Sequence, residues 1–178
     1  DFIDKYLNNL FKIVYEACEN GKYYKFDENY DLVDSDVTTA EEAVSNVMDI
    51  DSVRDMYILY EIVHDYDCGE GSFYMCVDLS KDSKCPKLKF TSPWDFNWAY
   101  NDSTEKYYAG AFTDKNFVAK NGDRSNPWFI VLCKQDWFMD AVKEKWTEMS
   151  QEKLLQGCIK TEREYLKEYD ADLRKGEE

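Results

Sequence analysis

The sequence predicts an α+β fold that is mostly α, with one small antiparallel β-hairpin set between helices. Apolar residues recur at helical spacing over 2–19, 52–63, 136–149 and 151–170. Period-two alternation is confined to Ser72–Leu79 and Lys87–Ser92. No β-α-β alternation occurs that would build a parallel sheet. The length of 178 residues suits a single domain over 1–178. Aromatic residues reach 16%, too many for a disordered acidic tail, so the chain folds around a core.

Taken in order, Phe2, Ile3, Tyr6, Leu7, Leu10, Phe11, Ile13 and Val14 stripe a first helix that stops near Asn20-Gly21. Residues 20–37 are polar, acidic and Tyr-rich, a loop with room for a short strand or turn. Thr39 with Glu42 makes a capping box that opens a short helix to about Met48. Asp51 or Ser52 caps the next helix, where Val53, Met56, Tyr57, Leu59, Tyr60, Ile62 and Val63 cover most of the circumference and predict burial. The segments SFYMCVDL and KLKFTS then form the hairpin, joined by the turn-rich SKDSKCP. Residues 100–126, with Gly110 and Gly122, read as a long irregular excursion. From Asp136 helical spacing returns through Trp137, Phe138, Ala141, Val142, Trp146 and Met149. A last helix over 151–170 is expected to turn Leu154, Leu155, Cys158, Ile159, Tyr165 and Leu166 inward, with a fraying charged tail after Tyr169.

With 22 Lys+Arg against 37 Asp+Glu, the formal net charge is −15. Phosphate backbones and anionic membrane surfaces are bound by clustered cations, so nucleic acid and such membranes are excluded as partners. A basic peptide, a sugar, or a nucleotide held through metal ions remains compatible. No run of about 18 apolar residues occurs, so no membrane span is expected. The chain opens with Asp1 and carries no signal-type segment, which reads as a processed piece of something longer.

The 6 cysteines lie at 18, 68, 76, 85, 133 and 158, none at zinc-knuckle or C-x-x-C spacing. An even count suits disulfides in a secreted protein, and Cys76 with Cys85, at the ends of the hairpin turn, is the best local pair. The alternative is that most are buried free thiols acting as small hydrophobes. The lone histidine, His64, ends an apolar helical run and reads as a packing or capping residue. Chemistry therefore falls to carboxylates.

Acidic residues flank the hairpin, in HDYDCGEGSFY (64–74) at its entry and SPWDFNW (92–98) at its exit. A hairpin brings its two ends together, so Asp65 and Asp67 are expected near Asp95. Converging carboxylates hold a hard cation through oxygen, or act as acid and base. Protein kinases arrange a catalytic-loop Asp, a polar metal ligand five positions on, a hairpin, and an Asp-Phe-Gly whose Asp holds Mg²⁺. Asp67, Ser72, the hairpin and Asp95-Phe96 follow that order.

The stretches MDIDSVRDMYILYEIVHDYD, GSFYMCVD, SPWDFNWAY and NPWFIVLCKQDWFMDAVKEKWTEM resemble the spore-coat H (CotH) kinase family over roughly residues 46–165. The resemblance implies a protein-kinase-like C-terminal lobe and an atypical Ser/Thr kinase that transfers phosphate from ATP with Mg or Mn. By position it makes Asp67 the catalytic, hydroxyl-orienting group and Asp95 the metal-binding and nucleotide-side Asp. Ser72 and Asn97 then become further ligands, in places where the family more often has Asn and Asp. Residues 1–45 are too short and too helical for a nucleotide-holding N-terminal lobe, and no Gly-rich phosphate loop occurs. That lobe is expected to be absent or to reside on another chain, and ATP binding depends on supplying it. A basic Ser-rich protein is the expected substrate, steered by the acidic charge.

Other readings stay open. Asp67 and Asp95 suit ordinary caps and turns. Trp94, Phe96 and Trp98 suit core packing with one ring exposed, or sugar stacking. Tyr23, Tyr24, Tyr30, Tyr107 and Tyr108 suit amphipathic surface rings, or a glycan groove. Glu70 suits a solvated loop acid. At the level of the whole chain, the alternatives are a non-catalytic pseudokinase or extracellular, cell-surface interaction module, and a carbohydrate-active or carbohydrate-binding protein.

Overall fold

The first helix, α1 (Phe2–Asn20), starts where the Asp1 carboxylate accepts the Ile3 N–H and ends where Gly21 turns left-handed at φ 62°. This computed structural model describes residues 1–63, 66–69, 71–98 and 126–175. The spacing of the sequence sets the buried face of α1, with Tyr6, Leu10, Ile13, Val14 and Ala17 inward. The polar stretch after it holds a second hairpin, β1 (Tyr24–Phe26) and β2 (Leu32–Asp34), paired antiparallel with Lys25 opposite Val33. Its turn is built by Asp27, whose carboxylate accepts the N–H groups of Asn29 and Asp31 at 2.8 Å each. Tyr30 there is a packing ring, meeting Phe2, Tyr6 and Phe26 edge-on at 5.4–5.5 Å.

Helix α2 (Ala40–Val47) begins at the expected cap, Thr39 Oγ1 accepting the Glu42 N–H at 3.2 Å. The return bond from Glu42 lands one residue early, on the N–H of Thr38. Helix α3 (Ile50–Val63) is capped by Asp49, ahead of the Asp51 or Ser52 expected from sequence. Asp49 Oδ1 accepts the Ser52 N–H at 3.1 Å, and Ser52 Oγ donates back to the Asp49 carbonyl at 2.8 Å. Strands β3 (Tyr74–Cys76) and β4 (Lys89–Thr91) form the predicted hairpin, shorter than its alternating pattern, with Met75 opposite Phe90. After the 99–125 stretch come α4 (Pro127–Leu132), α5 (Asp136–Gln151) and α6 (Leu154–Lys175). The molecule is therefore mostly helical with two small antiparallel hairpins.

The chain divides into two compact units, Asp1–Val142 and Lys143–Glu178. The core of the first gathers on Phe129, whose ring lies 5.3 Å from Tyr57, 5.8 Å from Phe90 and 6.0 Å from Phe73. Leu10, Val44, Val53, Tyr60, Leu132 and Phe138 are sealed from solvent around it. Helix α4 is tied to α1 by the edge of Phe11 on Trp128, and the turn after it by a 2.6 Å ion pair from Lys134 to Glu19.

In the second unit, the end of α5 turns into α6 at Lys153, which is left-handed at φ 54°. Two expectations are corrected there. Leu154, Cys158, Ile159, Tyr165 and Leu166 are exposed rather than inward and Leu155 is half-buried, since a periodic stripe fixes a face but not a partner to cover it. The charged tail continues as helix to Lys175, helped by Arg174 on Asp170 and Lys175 on Asp172 at 3.0 Å each. No helix of the described residues is long and apolar enough to cross a membrane.

The expected disulfide is also corrected, since all six cysteines are free. The register sets Cys76 opposite Lys89, which leaves Cys85 out on the connecting turn, its thiol directed at Asp49 Oδ2 at 3.7 Å. Of the six, Cys68 alone is buried.

Candidate functional site

The open end of the β3–β4 hairpin is held from three sides. Strand β4 is fixed to the start of α3, with Leu88 N–H donating to Val47 O, Asp49 N–H to Leu88 O, and Phe90 N–H to Ser52 Oγ at 3.3 Å. On the entry side Phe73 sets its ring 4.8 Å from Phe90 and 6.1 Å from Tyr60. On the exit side Phe96 brings its ring edge-on to Tyr60 at 6.4 Å. Tyr60 is fully buried near the C-terminal end of α3, just before the acidic loop. Segments far apart in sequence thus meet on one ring, and the neighbours of Phe73 and Phe96 are Ser72 and Asp95.

The acidic loop itself is a 3-10 turn, Tyr66–Gly69, that carries Asp67. It is anchored by Asn126. The Asn126 amide donates to the carbonyl of the sealed Cys68 at 3.0 Å, while its Oδ1 accepts the N–H groups of Trp128 and Phe129 and caps α4. One buried side chain ties the Asp67 turn to the Phe129 core.

Backbone strain collects at the same end. Ser72, Ser92 and Asp95 are left-handed at φ 45°, 55° and 61°. For residues with a Cβ such angles are costly and persist only where the surroundings impose them, often at functional sites. Asp95 and Asn97 are exposed, Asn97 in the 3-10 turn Phe96–Trp98, and Ser72 is half-buried. Trp94 is 62% exposed, so it is not a core ring. His64, Asp65, Glu70, Tyr107 and Tyr108 lie outside the described residues, as do the side chains of Asp67 and Trp98. Among the described residues, no three acidic, His or Cys groups converge as a metal cluster. Asp95 offers a carboxylate and Asn97 and Ser72 offer neutral oxygens, the donor types a small hard cation takes.

Behind this end, Tyr57 and Glu61 of α3 face Cys133. Burial, with Cys133 and Glu61 adding to it, pushes the Tyr57 phenol far above its ordinary value. Burial likewise pushes the Cys133 thiol up to about 12. Both groups are neutral at physiological pH and read as packed parts of the support.

Neither Asn126 nor Tyr60 was singled out for the site in the sequence. The signal for Asn126 was present in Asn-Pro-Trp, a capping residue followed by proline at the first helical position. Nothing local marks Tyr60, whose role lies in its long-range partners.

A family model described as CotH kinase protein matches residues 14–174. The chain belongs to the CotH kinase family. No curated protein and no solved structure matches it. Membership makes the function kinase-like at the level of the family. The CotH match extends beyond 46–165 at both ends, taking in part of α1 and nearly all of α6, and it contains Tyr60, Asp67, Ser72, Asp95, Asn97 and Asn126.

Proposed function

We propose that this CotH chain forms the C-terminal, protein-kinase-like lobe of a phosphotransferase that moves phosphate from ATP to Ser or Thr of a protein. The observation that supports the reading is the meeting of Phe73 and Phe96 on Tyr60, beside the left-handed Ser72 and Asp95. In this reading Asp67 accepts a hydrogen bond from the substrate hydroxyl and aims it at the phosphoryl group. Asp95 supplies a carboxylate, and Asn97 and Ser72 supply neutral oxygens, for Mg²⁺ or Mn²⁺. The cation, when bound, neutralises charge on the phosphates. The exposure of Asp95 leaves its carboxylate accessible to a nucleotide–metal complex. The net charge of −15 favours a basic, Ser-rich substrate segment.

The competing reading is a pseudokinase. It is favoured by the neutral Asn97 and Ser72, in places where the family more often has Asp and Asn. Transfer of radiolabelled phosphate from ATP to a Ser-rich basic peptide, with the full-length protein and Mg²⁺ or Mn²⁺, separates the two. Asp67→Asn and Asp95→Asn are each expected to slow transfer by about a hundredfold or more. Absence of transfer by the wild-type protein, or transfer by both variants at the wild-type rate, overturns the phosphotransfer reading.

A further inference from the structure

The two edges of the β3–β4 ribbon are unequal. Leu88 and Phe90 direct their main-chain groups away from β3, to Val47, Asp49 and Ser52. By antiparallel alternation, Lys89 and Thr91 face β3 and bond Cys76 and Tyr74, so Met75 points its N–H and C=O groups outward, with Phe73 and Val77 flanking it just beyond the strand. Among the described residues nothing pairs with those outward groups. An apolar groove of about 540 Å³ runs along Phe73–Val77 with Leu79 and Leu88, walled on the helix side by Phe2, Ile3, Tyr6 and Leu7 of α1. An open strand edge beside an apolar wall is the arrangement that accepts an added strand.

We propose that this groove binds an extended polypeptide segment of a partner, which adds as a third strand alongside β3. These outward groups, unpaired among the described residues, suit an extended backbone as occupant, because a helix has already used its own N–H and C=O groups. The five residues Phe73–Val77 span about 13 Å, enough for alternate apolar side chains of the added strand to face Ile3 and Leu7. Charge sets the flanks. At the helix side Asp1 and Asp4, which border the groove-lining residues in sequence, have no ion-pair partner among the described residues and Lys5 is engaged by Asp31 at 2.7 Å, whereas at the ribbon side Asp78 shares its surroundings with Lys84, Lys87 and Lys89. Asp78 is held below the usual carboxylate range by the Ser80 N–H and stays anionic into mildly acid conditions. The segment is therefore apolar at alternate positions, with Lys or Arg at the end that lies beside Asp1 and Asp4.

The test uses the 178-residue chain and a fluorescein-labelled peptide of sequence Lys-Val-Thr-Val-Thr-Val-Lys, read by anisotropy. Saturable binding is expected, with a copy N-methylated at alternate residues binding about tenfold more weakly, because its edge bonds cannot form. Met75→Pro removes an outward N–H while leaving the bonds to β4 untouched, a position where edge strands accept proline. It is expected to weaken binding about tenfold with unchanged far-UV circular dichroism, and Leu7→Glu to weaken it through the wall. Should Met75→Pro misfold, the N-methylated peptide still decides. No saturable binding, or equal binding of both peptides, overturns the proposal. So does a homodimer that Met75→Pro dissolves, which would make a second copy of the chain the occupant. None of these outcomes depends on phosphate transfer.

Discussion

Asn126 carries more structure than any other single polar side chain described. It is 2% exposed, caps α4 through two accepted bonds and holds the Cys68 carbonyl through a donated one. Removing it leaves buried partners without bonds, so Asn126→Ala is expected to destabilise the protein by about 2 kcal/mol in urea unfolding. The two roles separate in Asn126→Asp, which keeps the cap but presents a carboxylate to the Cys68 carbonyl. Stability should recover in part, while amide hydrogen exchange at 66–69 stays fast in both variants. Slow exchange there in Asn126→Ala would mean that the Asp67 turn is held by something else. Tyr60 shows the complementary limit of sequence reading. Its burial follows from the apolar α3 pattern, but the rings that meet on it come from residues 73, 96 and 129. No local spacing encodes such a meeting.

Among the elements, those with a long periodic pattern and a chemical stop were legible. Helix α1 is the clearest, ending at Gly21, whose N–H bonds Glu16 O with the residue in the left-handed region. No atom lies within 4 Å of a Cβ placed there, so a side chain meets no obstruction and the penalty is conformational alone. Gly21→Ala is accordingly expected to cost about 1 kcal/mol in thermal or urea unfolding, with no change in the α1 core. A cost near zero would show that the helix end relaxes. Elements that were shifted or missed have physical reasons. Helix α4 is a six-residue apolar run, PWFIVL, in which every position looks alike and period carries no information. The β1–β2 hairpin has three-residue strands, too short for alternation to emerge from a polar stretch. Helix α3 begins at Asp49 because the Met48–Leu88 bridge and the β4 bonds fix the chain there, a tertiary cause invisible to a local cap rule. On α6 the periodic stripe predicts a buried face, yet periodicity gives only the face, and Leu154, Ile159, Tyr165 and Leu166 stand exposed on it. Of the candidate site, the order Asp67, Ser72, hairpin, Asp95-Phe96 was legible as a motif. Its support was not, because it rests on ring packing and on one buried amide.

At the scale of the whole molecule, two effects make stability fall in alkali, and they can be told apart. Burial pushes Cys18 and Cys133 from 9.0 up to about 12, with Glu19 adding at Cys18. Burial, with Tyr30 adding, pushes Tyr6 from 10.0 to about 12. Each group binds its proton more tightly folded than unfolded, so its contribution is fully present below the unfolded value and is lost as pH rises through the folded one. The expected window is about pH 9 to about 12, read as a falling urea midpoint between pH 8 and pH 10.5. The second effect is self-repulsion, since a chain at −15 becomes more negative as lysines and tyrosines titrate. Salt screens repulsion between exposed charges, but it does little for a thiol whose ionisation is opposed by burial. Measured at 0.5 M salt, the decline should therefore persist for the native protein. It should become shallower in the Cys18→Ala, Cys133→Ala double variant. A decline that high salt abolishes, or that is unchanged in the double variant, would assign the alkaline limit to surface charge and remove the half-buried Cys18 and Cys133 from it.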